Sequence, residues 1–446
     1  MVKKVTLLNL ALPNFVEMLF FSLLGICDMF ILSRVSDEAA GAVGASNQII
    51  TFTNIVFNII CIGASVLISQ YIGAKNKQST QKAIIGSYIM VFSVGIVCSI
   101  LLFLFGKNIL QFIGITPGLL DNAVTYIKIF GGMIFTQSLL NISTVVMRTH
   151  GYAKETLAIT AGMNILNVIT VSTLIFGFHM GVAGAAIATT ISRSIAMIAA
   201  MVFVWKNILE KEALRYIRNF PKDIMRDLIK IGLPSALENI SYNVSQIAVT
   251  SIILYNLGET AYITRAYTLQ IVFIFLTISM AIGQANQILV GRLVGEGDFD
   301  EAYRTCLKNF KTSLILSIGY GIILFFFGGV FVRIFTLDPE IIKWSTLIFM
   351  VDAFLEPGRT FNIVIIGGLK GAGDVIFPVI MAVIFMWGVA VTGSYLFCVV
   401  LGFGLPGIWV AMALDEWMRG FIMFFRWRSR KWTTKSLIKQ KIIEEI

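Results

Sequence analysis

The stretch LALPNFVEM, residues 10–18, returns in the second half of the chain as IGLPSALEN, residues 231–239. Pro13 corresponds to Pro234, and Glu17 corresponds to Glu238. Further segments repeat in the same order and at a nearly constant offset: 67–77 with 289–299, 147–156 with 369–378, and 177–188 with 402–413. This duplication predicts two structural halves built on one template.

The composition is that of a membrane protein. Of the 446 residues 57% are hydrophobic and 13% are charged, and the mean hydropathy is +0.84. Soluble domains average about 45–50% apolar and about 25% charged residues. Runs of about 20 apolar residues, each long enough to cross a bilayer as a helix, recur along the chain. We therefore predict an all-α polytopic membrane protein, with twelve transmembrane spans near residues 8–32, 45–72, 83–105, 121–147, 157–178, 181–204, 229–255, 263–291, 312–334, 341–369, 375–400 and 405–425.

Membrane topology explains the formal net charge of +10. Lysine and arginine concentrate in every second segment between spans, beginning with the N-terminus. The positive-inside rule then places both termini in the cytoplasm, and the protein is expected to be multi-pass in a prokaryotic plasma membrane. A nucleic-acid partner is not needed to explain the charge. The intervening segments hold only Arg34, Lys107, Lys128, Arg265, Arg333 and Lys343.

The repeat divides the chain into an N-lobe at 1–205 and a C-lobe at 229–427. Between them, 206–228 is predicted to be an amphipathic cytoplasmic linker helix, and 428–446 a basic cytoplasmic tail. Because an even number of spans precedes the second copy, the two six-helix bundles have the same orientation. Parallel repeats of this kind predict a transporter with a central cavity that opens to each side in turn by a rocker-switch motion.

Other classes of protein fit the sequence less well. The chain lacks the H-E-x-x-H, G-x-S-x-G and phosphate-binding G-x-x-x-x-G-K-[ST] motifs, so we do not expect an enzyme or direct use of ATP. No cofactor and no resident metal are predicted, and nothing requires an oligomer. A channel, or a membrane interaction protein without transport, remains the alternative from a different class.

Two acidic residues in the first predicted span need an explanation, because a charge at mid-membrane costs about 2.5–3.5 kcal/mol. Glu17 and Asp28 have a spacing that places them on one helical stripe. Asp28 is the main candidate for exchanging a proton, or for binding Na⁺. The alternatives are that Glu17 is an interfacial or capping residue, and that Asp28 reaches extracellular water.

The second half carries two further polar stripes. Glu238, Tyr242 and Gln246 lie on one face of the seventh span, and Asp352, Glu356 and Arg359 are spaced at i, i+4 and i+7 in the tenth. A polar stripe in lipid faces a cavity or another helix, so we predict that these six residues line a substrate cavity. A structural ion pair between Arg359 and either carboxylate is the alternative.

Several segments resemble the multidrug and toxic compound extrusion (MATE) family over essentially the whole chain. The resemblance implies a secondary antiporter of the wider multidrug/oligosaccharidyl-lipid/polysaccharide flippase superfamily, which expels small cationic or amphiphilic compounds from the cell in exchange for H⁺ or Na⁺. The segments are ALPNFVEMLFFSLLGICDMFILSRVSDEAAGAVG at 11–44, SQYIGAKN at 69–76, MRTHG at 147–151, GVAGAAIATTISR at 181–193 and LKGAGD at 369–374.

The resemblance also implies an ion-coupling site in the first half. Asp28 matches the first-helix aspartate of one branch of the family, but the partner aspartate of the fifth helix is Val171 here. Another branch relies on acids of the seventh and tenth helices. The runner-up function is a flippase for a lipid-linked saccharide or another amphiphile, although the excess of acids over Arg359 favours cationic cargo. The resemblance implies an ion-coupling set of Asp28, Asn141, Asn167 and Thr189, with a possible Na⁺ at Asp28; the helical stripe shared with Asp28 adds Glu17 to this predicted set.

Overall fold

The computed structural model describes residues 5–218 and 222–436. Within these ranges the side chains of Ile26, Asp28, Met29, Arg218 and Lys222 are not described. The regular secondary structure of the described residues is entirely helical, without strands. The predicted all-α membrane fold is therefore confirmed.

The first half contains seven α-helices that supply six predicted spans, since α4 and α5 together form the fourth. A 3₁₀ turn at Gly131–Met133 separates them, and the chain bends there by 48°. A π-helical segment, Thr173–Gly177, extends α6. The helices are α1 Leu7–Ser33, α2 Asp37–Gly73, α3 Lys77–Phe112, α4 Pro117–Ile129, α5 Phe135–Thr149, α6 Ala153–Ser172 and α7 Gly181–Asn207.

Short helical turns follow α7 in the predicted linker. A 3₁₀ helix, Lys211–Leu214, leads into α8, Arg215–Arg218. Tyr216 packs with Ile85 of α3 in a small apolar cluster, so these turns lie against the first half. Arg215 donates a hydrogen bond of 3.1 Å to the Tyr216 hydroxyl, and this bond lowers the pKa of the tyrosine. Residues 219–221 lie outside the described residues.

The second half repeats the six-span pattern. In its fifth span the π-helical segment Met386–Val391 joins α13 to α14, and a second one, Leu396–Val400, follows α14. After the last helix, Trp432 of the predicted tail is buried and stacks on Trp427 with ring centroids 4.2 Å apart; residues 437–446 lie outside the described part. The helices are α9 Lys222–Leu257, α10 Glu259–Glu296, α11 Phe299–Val332, α12 Pro339–Gly371, α13 Ile376–Phe385, α14 Thr392–Tyr395 and α15 Gly404–Arg428.

Within the described ranges, eight helical segments are long and apolar enough to cross a membrane, and the bent α4–α5 pair makes a ninth. The three remaining predicted spans are α9, α12 and α15. These three helices contain several acids and bases within the predicted spans, among them Glu238 in α9, Asp352 in α12 and Asp415 in α15.

The chain divides into two compact units. One holds 12–68 and 76–233, and the other holds 6–11, 69–75 and the chain from Pro234 onward. The boundary between Leu233 and Pro234 lies about a third of the way along α9, a few residues beyond the predicted start of the C-lobe at 229. The lobe, linker and tail limits drawn from the sequence stay predictions.

Glycine allows the helices of the second unit to pack at short range. A β-carbon on Gly367 of α12 would lie 2.6 Å from the carbonyl oxygen of Gly283 in α10. A β-carbon on Gly283 would lie 2.7 Å from a methyl carbon of Ile363. Backbone-to-backbone approach of this kind is typical of helices that associate in lipid, where small residues replace the hydrophobic effect as the basis of packing.

We predict that Gly367→Ala destabilises the protein by about 1–3 kcal/mol, because the added methyl group must separate α10 from α12. Gly319→Ala is the matched control, since a β-carbon there has no neighbour within 4 Å and alanine favours a helix over glycine. Thermal unfolding in detergent measures both variants. Equal unfolding midpoints for the two variants would show that the α10–α12 contact is not tight.

Candidate functional site

Two acids of α12 are fully buried in the second unit. Asp352 and Glu356 are both 0% exposed. Trp409 donates a hydrogen bond of 3.1 Å to Oδ1 of Asp352, and the Tyr320 hydroxyl donates one of 2.9 Å to Oε2 of Glu356. Arg359, one turn further along α12, forms an ion pair with Glu356. The stripe predicted at i, i+4 and i+7 therefore contains a structural ion pair, as the alternative interpretation proposed.

The last helix, α15, adds a second set of charged groups. An Nη2 atom of Arg419 lies 2.8 Å from Asp415 and 3.0 Å from Glu416. Glu416 also accepts a hydrogen bond of 2.6 Å from Asn362 of α12, and its other oxygen lies 3.5 Å from Nε of Arg359. Arg359 thus joins the two helices. We name the group Asp352, Glu356, Arg359, Asp415, Glu416 and Arg419 the C-lobe acid cluster.

The C-lobe acid cluster has more acids than bases. Four carboxylates face two guanidinium groups, which leaves a formal charge of −2 if every group is ionised. Oδ2 of Asp352 and Oδ1 of Asp415 are buried without a hydrogen-bond partner among the described residues. An uncompensated buried charge is costly. The C-lobe acid cluster therefore leaves two carboxylate oxygens without compensation among the described residues.

The predicted stripe on α9 is divided between two partners in the second unit. Glu238 forms an ion pair of 2.7 Å with Lys370 in the last turn of α12. Gln246 accepts a hydrogen bond of 2.7 Å from Arg265 of α10. The Tyr242 side chain is 46% exposed. Their assignment to a substrate cavity stays a prediction.

Arg265 is a buried cation that the charge pattern had grouped with the extracellular segments. It lies in α10 at 7% exposure and donates to Thr250 at 2.8 Å in addition to Gln246. Its Nε atom has no partner among the described residues. Neutral oxygens hold the guanidinium, so hydroxyl and amide dipoles stabilise its positive charge.

In the first unit, Glu17 of α1 is paired with Arg148 in the last turn of α5. One Nη2 atom lies 2.7 Å from Oε1 and 2.8 Å from Oε2 of the carboxylate. The repeat relates this pair to Glu238 and Lys370, because both the acids and the bases occupy corresponding positions in the two copies. Each acid lies one turn after a proline in the first helix of its half.

The polar residues predicted around Asp28 are partly brought together. The Asn167 side chain donates a hydrogen bond of 3.4 Å to Thr189. Asn141 accepts one of 2.6 Å from Gln137, which accepts in turn from Arg193. Asp28 lies in α1, but its side chain is outside the described set, so its proposed contacts stay a prediction.

Val171, which stands where the resemblance implies a second aspartate, has apolar surroundings. Val171 is 1% exposed and belongs to a buried hydrophobic cluster that also contains Ile31 and Leu32, near the end of α1. A carboxylate at this position would have no compensation from that cluster. Hydrophobic packing therefore surrounds Val171, the position at which the resemblance implies the second aspartate.

A polar chamber of about 190 Å³ lies within the first unit. The ion pair of Glu17 and Arg148 lines it, together with amides from α2, α5 and α6. The other lining residues are Phe21, Asn58, Cys61, Gln137, Leu140, Asn141, Thr144, Val145, Thr160, Met163 and Asn164.

Comparison with known proteins identifies the family. The MatE family model matches residues 13–173 and 234–396, one match in each half. The chain belongs to the MatE family. The resemblance seen in the sequence is thereby confirmed, and the duplicated match corresponds to the duplication seen in LALPNFVEM and IGLPSALEN.

Curated relatives of this MatE-family transporter align with both of its halves. "Uncharacterized transporter YisQ" of Bacillus subtilis is 38% identical, with 98% of this chain and 96% of the relative aligned. "Probable multidrug resistance protein NorM" of Thermotoga maritima is 27% identical, with 99% and 95% aligned. The similarity therefore includes the N-lobe, the linker and the C-lobe together.

Solved structures support the fold. A MOP superfamily transporter from Pyrococcus furiosus superposes with a TM-score of 0.86 at 18% identity, covering 95% of each chain. A multidrug resistance MATE family transporter described in an outward-facing conformation gives the same TM-score, identity and coverage. At 18% identity the similarity shows that the helices are arranged in the same way, but it assigns no functional residues to this chain.

Sequence reasoning missed the α15 half of the acid cluster. The last predicted span, 405–425, contains Asp415, Glu416 and Arg419. Because a charge in lipid is costly, their presence in a span is the same signal that identified Asp352. The partners Arg148 and Lys370 carried no such signal. Both lie at the ends of spans, where a basic residue is ordinary under the positive-inside rule.

We predict that Arg359→Met destabilises the protein by about 3–5 kcal/mol, because it leaves Glu356 and Glu416 without their shared cation. Adding Glu356→Gln should recover part of the loss. The control is Arg430→Met, which removes an exposed ion pair with Asp300 and should cost less than about 1 kcal/mol. Unfolding by SDS titration measures the free energies. Equal losses for Arg359→Met and Arg430→Met would contradict the described network.

Proposed function

We propose that the protein is a secondary active antiporter that exports cationic or amphiphilic compounds in exchange for H⁺ or Na⁺. The observation that carries this proposal is the C-lobe acid cluster, whose four buried carboxylates outnumber its two arginines. A membrane protein retains such costly groups where they bind or relay ions. The name of the Thermotoga maritima relative, a probable multidrug resistance protein, supports export of drug-like compounds.

The ion is proposed to bind at the C-lobe acid cluster. Asp352 offers a carboxylate oxygen without a partner among the described residues, while Trp409 holds the other oxygen in place. A proton or Na⁺ arriving from outside reduces the negative charge and weakens the attraction that Arg359 exerts between α12 and α15. The two arrangements of α12 and α15 therefore bind the ion with different affinities. Such a difference in affinity is what allows ion binding to drive a conformational change.

Alternating access is proposed to follow from the repeat. Parallel repeats support transport by movement of one half against the other, with inward and outward states of similar energy. The basic segments between spans support a cytoplasmic location for both termini in a prokaryotic cell. Export then requires that the protein bind its substrate from the cytoplasmic side, where the basic segments lie.

Cationic cargo is favoured over an anionic lipid head group. A flippase for anionic head groups would require an excess of buried bases, whereas the C-lobe acid cluster has an excess of acids. Two buried arginines, Arg265 and Arg292, lie outside the cluster in α10, and neutral oxygens of Gln246 and Thr250 hold Arg265. The excess of acids within the C-lobe acid cluster supports the proposed antiporter.

Asp352→Asn is predicted to reduce ion-coupled efflux at least tenfold in proteoliposomes. Asparagine keeps the oxygen that accepts from Trp409 but removes the titratable charge. The measurement is ethidium transport with a pH gradient and a Na⁺ gradient imposed separately, so that it also identifies the coupling ion.

The control for this experiment is Asp300→Asn, the same chemical change at a carboxylate that is 69% exposed. It should transport at the wild-type rate. Efflux by Asp352→Asn at the wild-type rate under both gradients would exclude the C-lobe acid cluster as the coupling site.

Asp28→Asn tests the coupling role predicted for the N-lobe. If Asp28 binds the ion with oxygens of Asn167 and Thr189, the variant should lose gradient-driven efflux while ethidium still binds. The readout is the ratio of gradient-driven to gradient-independent transport in the same proteoliposomes. A wild-type ratio in Asp28→Asn, together with a loss in Asp352→Asn, would assign coupling to the second half alone.

A further inference from the structure

The polar chamber of the first unit has the composition of a cation site. Glu17 supplies a carboxylate, and Phe21, one turn further along α1, supplies an aromatic ring. Asn164 is 5% exposed, and its Oδ1 atom has no hydrogen-bond partner among the described residues. Carboxylate, aromatic face and free amide oxygen are the groups that recognise an organic cation bearing N–H donors.

The ion pair at the chamber leaves room for a competing cation. A guanidinium that binds a carboxylate as a fork uses two nitrogens, one for each oxygen. Here a single Nη2 atom of Arg148 serves both oxygens of Glu17, and Nε of Arg148 is buried without a partner among the described residues. The carboxylate therefore retains acceptor capacity that an incoming donor can use.

The chamber is small. Its volume of about 190 Å³ lies below the ~300–1,000 Å³ of sites that enclose a drug-sized ligand. It therefore fits a compact ligand or the cationic head of a larger one. Arg148 lies in a segment that the charge pattern assigns to the cytoplasmic side, where an exported compound enters.

We propose that this chamber binds the amidinium, guanidinium or primary ammonium head of the exported compound, and that the ligand cation displaces Arg148 from Glu17. The inference rests on the proposed export of cations, but it places a head-group site in the first unit, separate from the ion site in the C-lobe acid cluster. Arg148 acts as a built-in competitor, since it holds Glu17 when no ligand is present.

This competition predicts opposite effects for the two partners of one ion pair. Glu17→Gln should weaken binding of benzamidine to the purified protein at least tenfold. Arg148→Gln should strengthen it at least threefold, because the competing cation is removed. Glu17→Asp keeps the charge and should bind better than Glu17→Gln. Isothermal titration calorimetry measures each affinity, with benzamide as the neutral ligand of nearly the same shape, which should not bind.

Arg426→Gln is the matched control. Arg426 is also a partly exposed arginine, at 17% against 19% for Arg148, and it pairs with Asp374 at 2.8 Å in the second unit. Its removal should leave benzamidine affinity unchanged. A purely structural role for the Glu17–Arg148 pair would weaken binding in both Glu17→Gln and Arg148→Gln, and that result would overturn the inference.

Two other results would also overturn it: equal benzamidine affinity in wild type and Glu17→Gln, or no benzamidine binding by the wild type. Neither result bears on ion-coupled ethidium efflux and its loss in Asp352→Asn. The proposed head-group site can therefore be disproved without disproving the proposed antiport, and the reverse also holds.

Discussion

Hydrocarbon offers no partner to a charged side chain, so each ionisable group in a span must find its compensation inside its own bundle. Arg359 shows the consequence most clearly, because it pairs with Glu356 on its own helix and contacts Glu416 of α15. The same constraint accounts for the ion pair between Glu17 and Arg148. Ion pairs and glycine contacts thus both join particular helices within each unit.

The two halves share a template but differ in charge. In the first unit the described intramembrane acid, Glu17, is balanced by Arg148, and the nearby polar groups are mostly neutral amides. In the second unit the equivalent acid, Glu238, is likewise balanced by Lys370, but the C-lobe acid cluster is added to it. Duplication therefore supplies a matched pair of scaffolds, and the C-lobe acid cluster, which is not duplicated, is the part proposed to bind the ion.

Much of the fold could be predicted, because length, apolarity and basic loops are properties of single segments. The recurrence of the first-helix proline and glutamate in the second half predicted the two lobes, and the spacing of Asp352, Glu356 and Arg359 placed half of the acid cluster. The pairing of Glu17 with Arg148 could not be predicted, since it depends on which helices are neighbours. The bend between α4 and α5 was missed as well, although the two glycines at the break are the kind of residues that weaken a helix.

The C-lobe acid cluster is proposed to hold an ion that the protein gives up when it binds a cationic substrate. The most direct test is to titrate purified protein with ethidium in weakly buffered solution and to measure release of protons and of radioactive Na⁺. By thermodynamic reciprocity, an ion that disfavours substrate must be released by substrate. We expect stoichiometric release of one of the two ions by the wild type and none by Asp352→Asn. Ethidium binding without release of either ion, or equal release by both proteins, would contradict it.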